Sequence, residues 1–70
     1  MERIYVESSM ITSIGYDPQT ATLEIEFKSG AVWQYRDFSE NEWYEFRSSD
    51  SKGKFFHSNI KNKFNEDRVG

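Results

Sequence analysis

The residues best placed to do chemistry lie between Lys52 and Phe64, in KGKFFHSNIKNKF, which holds four lysines, the only histidine and no acid. The rest of the chain leans the other way. In residues 1–51, Arg3, Lys28, Arg36 and Arg47 stand against ten carboxylates, a balance of about −6, whereas residues 52–70 come to about +3. A chain of pI ≈ 5.0 and net charge −3 therefore gathers a basic face on an acidic body. The chemistry such a face offers is attraction for phosphate. Each phosphate neutralised by a lysine releases counterions, so four lysines suit a site spanning a few nucleotides. The overall negative charge argues against indiscriminate coating of nucleic acid but leaves a local site intact, because screening confines surface fields to about 10 Å. Lys52, Gly53, Lys54, Phe55, His57, Lys61 and Lys63 are the candidate contacts.

Each has a plainer reading beside it. Ser51-Lys52-Gly53-Lys54 opens a helix, where free backbone N–H groups and a glycine allowing close approach would suit an anion. The same four residues also describe an ordinary capped helix start, and the GxxxxGK[ST] phosphate loop is absent. Lys61 and Lys63 equally complement a helix C-terminus. His57 lacks a Cys, His or well-spaced acid partner, so it is no metal ligand by pattern, and protonated it would donate to phosphate. Glu24, Glu26, Glu42 and Glu45 read as solvated faces, with Arg36 across a hairpin as the expected partner of Glu24 and Glu26. No catalytic residue, metal or cofactor is assigned, and the expectation is a protein that is not an enzyme.

The elements that position these residues follow from periodicity. TLEIEF, residues 22–27, alternates strictly, with Leu23, Ile25 and Phe27 on one face, and predicts a half-buried strand. A short strand at Thr12–Tyr16 precedes it, joined by a turn at Asp17-Pro18. After it, AVWQYRD predicts a third strand. A two-residue loop would put Gln34 and Arg36 on the apolar face. A three-residue loop, Lys28-Ser29-Gly30 with Gly30 left-handed, instead pairs Ile25 with Trp33 and Leu23 with Tyr35. That register turns Trp33 and Tyr35 toward the core and away from use as a base-stacking platform. Ser39 and Glu42 form a capping box that starts a helix over Glu40–Ser48, with Trp43 and Phe46 inward. A second helix is expected over about Ser51–Asn62, its stripe being Phe56, Ile60 and Phe64. Little is expected to hold Asn65–Gly70.

These pieces make one α+β domain over residues 1–70: a three- to four-stranded antiparallel meander, Arg3–Val6 being the optional fourth strand, with two short helices on one face. Seventy residues lie near the lower limit for a chain held by its core alone. With no cysteine, the stabilising area must come from the aromatics, 17% of residues. Homodimerisation is the other common remedy at this size and stays open. No apolar run reaches the roughly 18 residues of a membrane span and no signal-peptide core is present, so a cytoplasmic location is expected.

The order SSMITSIGYDPQTATLEIEF, SGAVWQYRD and SKGKFFHSNIKNKF, followed by an acid–Arg–Val end, resembles the KTSC domain over about residues 6–69. That small bacterial and phage module is named for its occurrence at the C-terminus of some lysyl-tRNA synthetases. Its central aromatic-x-Tyr motif corresponds to Trp33-Gln34-Tyr35, with Trp where Tyr is usual. The resemblance implies no activity, and its synthetase context implies RNA or another phosphate-bearing ligand as partner. The alternative expectation is a protein-binding module, such as a phage or mobile-element protein seated on a host protein, to which the aromatic richness and acidic body are suited.

Overall fold

A computed structural model describes residues 1–70. It contains five strands and two helical segments: β1 (Arg3–Tyr5), β2 (Ile11–Asp17), β3 (Thr22–Phe27), β4 (Val32–Tyr35), α1 (Glu40–Ser48), α2 (Lys52–Phe55) continued by a π-helical turn (Phe56–Ile60), and β5 (Glu66–Arg68). The strands form one antiparallel sheet in the order β1-β2-β3-β4-β5. The fold is α+β, with the meander complete at five strands.

The β3–β4 hairpin has the register that the apolar pattern demands. Leu23 pairs with Tyr35 and Ile25 with Trp33, the Phe27 N–H donates to the Ala31 carbonyl at 2.9 Å, and Gly30 sits at φ 95°. The β2–β3 pair has a feature that alternation alone does not supply. Ile11 faces Phe27 and Ser13 faces Glu26, so Thr12 is an extra residue in β2. This bulge changes the parity of the strand, and both Ile11 and Ile14, three residues apart, reach the core. In the turn between the strands, the Asp17 carboxylate accepts from the Gln19 N–H at 3.0 Å.

The core comprises Ile11, Ile14, Leu23, Ile25, Tyr35, Phe38, Phe46, Phe56 and Ile60, with half-buried Trp33, Trp43, Phe55 and Phe64 packed against it. In α1 the Ser39 side chain accepts from the Glu42 N–H at 3.2 Å while Glu42 accepts from the Ser39 N–H at 3.1 Å, a closed capping box. The Tyr16 hydroxyl donates to the Phe38 carbonyl at 2.5 Å and its ring stacks on Trp43 at 5.6 Å, fastening β2 to the start of α1. Burial, with Glu40 and Glu42 adding to it, raises the Tyr16 hydroxyl above its usual pKa of 10.0.

Two expectations about the C-terminal third are corrected. The second helix is not one α-helix over Ser51–Asn62: after a single turn it widens, the Lys61 N–H bonding the Phe56 carbonyl at 2.8 Å. Widening lets Phe55 stack on Phe46 at 5.1 Å while Phe56 meets Phe27 and Tyr35 edge-on, two adjacent rings both used. The chain then leaves the helix through Asn62 at φ 63°, and Phe64 returns to pack on Phe38 at 5.1 Å. The tail is held as well. Glu66–Arg68 pairs with β4 as the fifth strand, and the Val69 N–H bonds the Val32 carbonyl at 2.8 Å.

Candidate functional site

The ion pairs of the protein lie on the sheet. Across it, Arg3, Gly15, Glu24, Gln34 and Asp67 lie in one row. Arg3 bonds Glu24 at 2.8 Å and approaches Glu26 at 3.9 Å, Gln34 donates to Glu24 at 2.9 Å, and Ser13 donates to Glu26 at 2.9 Å. The expected pairing of Glu24 and Glu26 with Arg36 is thus replaced by one with Arg3. Arg36 turns to Asp67 of β5 instead, because the fifth strand brings that carboxylate alongside. One arginine, Arg3, thus serves both Glu24 and Glu26.

The lysines of the C-terminal segment are arranged differently. Every ion pair in the protein uses an arginine, so Lys54, Lys61 and Lys63 are exposed cations without a carboxylate partner, and His57 is exposed beside them in sequence. Lys52 is half-buried, its ammonium donating to the Ser49 carbonyl at 2.6 Å, where it closes the junction between α1 and α2. One face of Phe55 is taken by Phe46. The start of α2 is an ordinary capped one: Ser51 accepts from the Lys54 N–H at 3.2 Å, and a helix of four residues has little dipole to offer an anion. Gly53 packs against Met10, whose sulfur would lie 3.2 Å from a Cβ at that position. What remains for a ligand is the outer surface carrying Lys54, His57, Lys61 and Lys63.

That surface ends in a cleft that the periodicities did not signal. Arg36, Asp37, Asn62, Lys63, Phe64 and Asn65 line an open surface depression of about 510 Å³ where the end of β4 meets the turn into β5. The Arg36 N–H bonds the Asn65 carbonyl at 2.9 Å and ties the two walls together. Asp37 and Asn62 stand at φ 59° and 63°, one on each wall. Asp and Asn are among the few side chains that tolerate this conformation, and that was the only signal in the sequence that could have marked the place. Trp33 and Tyr35 lie on the core side, Tyr35 being 2% exposed, its hydroxyl pushed well above its usual pKa by burial and by Glu66. No group of His, Cys, Asp and Glu is placed to hold a metal ion.

A five-stranded meander backed by a short helix pair, with Lys54 exposed on the second helical segment and Lys61 and Lys63 exposed on the turn that follows it, defines a small α+β module. The sequence pattern of the KTSC domain matches residues 7–64, and the chain belongs to that family. A crystal structure of a KTSC domain protein from Yersinia pestis is similar at a TM-score of 0.96 and 43% identity, over 99% of this chain and 97% of that one. An uncharacterized protein of Stutzerimonas stutzeri is 36% identical over 87% of this chain and 86% of its own length. A lysine–tRNA ligase of Nostoc is 35% identical over 90% of this chain, which spans only 11% of the ligase.

Proposed function

We propose that the protein is a non-catalytic, cytoplasmic RNA-binding module that holds a short single-stranded segment along its second helical segment and the turn that follows it. The carrying observation is that Lys54, Lys61 and Lys63 are exposed and unpaired while Arg3 and Arg36 are engaged with the carboxylates of the sheet. Cations left free in a chain of net charge −3 are available to phosphates, and the gain comes from counterion release. Support also comes from the family: relatives that carry this segment include ligases named for joining lysine to tRNA. The chain spans only 11% of the Nostoc ligase, so an appended binding role is what we propose. Titration of fluorescent single-stranded RNA at low salt tests the reading. Binding that weakens steeply with salt supports it, and absence of binding at low salt refutes it.

A second reading, a protein-binding module, is favoured by the free edge of the sheet. There Met1, Ile4 and Tyr5 are exposed, Tyr5 at 83%, beside the unpaired backbone of β1. Recovery of one stoichiometric protein partner, resistant to nuclease and lost on Tyr5→Ala, would establish it in place of the first.

A further inference from the structure

We propose that β1 is a pairing site for a second copy of this chain, two molecules joining edge to edge so that their five-stranded sheets become one continuous antiparallel sheet. The inference rests on the free edge offered by the protein-binding reading and names its occupant; it is independent of the lysine surface. The two edges of the sheet are unlike. β5 closes one side with Glu66, Asp67 and Arg68, three consecutive exposed charges, a common way of blunting an edge against pairing. β1 reads Arg3-Ile4-Tyr5, and its one charge leans back over the sheet to Glu24 and Glu26. Met1, Ile4 and Tyr5 are three of the five large apolar side chains left exposed in the protein.

The register follows from which backbone groups are free. The Val6 N–H turns inward to the Thr12 carbonyl at 3.1 Å. Backbone groups alternate along a strand, so Ile4 also faces β2, while Arg3 and Tyr5 present their N–H and C=O groups to the open edge. A two-fold axis through Ile4 sets Arg3 against Tyr5 of the other copy, each such pair exchanging both backbone hydrogen bonds. An axis through Arg3 would oppose two arginines, and one through Tyr5 would draw in Glu7, which lies beyond the strand. On the core face, Ile4 meets its own counterpart and carries the row Ile4, Ile14, Ile25 and Trp33 across the junction. On the opposite face, each Tyr5 ring lies beside the guanidinium of Arg3 in the other copy, a favourable cation–aromatic pair.

The chain holds no cysteine, so single cysteines report the geometry. Across the two-fold axis the Ile4 pair is of the non-hydrogen-bonded kind, with Cα atoms ~4.5 Å apart and within disulfide range. With oxidised glutathione as oxidant, Ile4→Cys should form a disulfide dimer about tenfold faster than Tyr5→Cys or Val69→Cys, although both of those positions are more exposed than Ile4. Sedimentation of the wild-type chain should show a concentration-dependent dimer below about 1 mM. Tyr5→Pro removes an N–H that the fold does not use and should weaken that dimer about tenfold, with the melting temperature little changed. A wild-type chain still monomeric at about 1 mM, equal cross-linking of the three cysteines, or open-ended polymers overturn the proposal. A monomer that nonetheless binds a foreign protein, with loss on Tyr5→Ala, overturns self-pairing and leaves the protein-binding reading standing.

Discussion

Removing the three unpaired lysines should flatten the salt dependence of RNA binding by an amount the structure sets. Lys54, Lys61 and Lys63 carry no ion pair, so each can neutralise one phosphate. For single strands the slope of log K against log salt is about −0.7 per phosphate, giving about −2 for three contacts. Between 50 and 200 mM salt the affinity should then fall roughly 20-fold. Each Lys→Ala change should make the slope shallower by about 0.7, and the triple variant should leave almost none. Lys52→Ala should change it less, because that ammonium already donates to the Ser49 carbonyl at 2.6 Å. Fluorescence anisotropy on a short labelled RNA, repeated at four or five salt concentrations, measures the slope directly. All three side chains are exposed, so their removal leaves the fold in place. A wild-type slope near zero, or one indifferent to all three substitutions, would refute the electrostatic argument.

Three further outcomes concern the fold. Gly15→Ala would place a Cβ 2.6 Å from the Glu2 carbonyl and 2.8 Å from the Arg3 side chain, so β1 must move; a loss of about 1–3 kcal/mol is expected, seen as a melting temperature lower by ~4–8 °C per kcal/mol and faster amide exchange at Arg3–Tyr5. Ser39→Ala opens the capping box and should cost about 1 kcal/mol, measurable by urea denaturation with an unchanged m-value. The third outcome is alkaline instability. Tyr16 and Tyr35 both have hydroxyl pKa values raised above 10.0 by burial, so folding favours their protonated forms. Their contribution is complete below pH 10 and is lost as pH rises through the folded-state values. Stability should be level up to about pH 10 and decline above it, with tyrosinate absorbance rising together with unfolding; two tyrosines ionising early in the folded protein would contradict it.

The boundaries of β3 and α1, the hairpin register and the burial of Tyr35 were legible in the sequence, because each depends on neighbours within a few residues. Strict alternation in Thr22–Phe27, a glycine where φ must be positive, and a Ser–Glu pair three residues apart are local statements with local physical causes. The basic character of Lys52–Phe64 was equally plain, being a matter of composition. Tertiary structure decided the rest. The bulge at Thr12 exists because Ile11 and Ile14 must both reach one core. The π-helical turn exists because Phe55 and Phe56 are both claimed by packing, and the tail becomes β5 because β4 offers it an open edge. From that strand follow the Arg36–Asp67 pair and the cleft lined by Asp37, Asn62 and Lys63. No periodicity could announce that cleft, since its walls lie about 25 residues apart and meet only when the sheet closes over them. The sequence alone determined which residues carry positive charge; packing decided that Lys52 and Phe55 are engaged within the fold and that Lys54, Lys61 and Lys63 face outward.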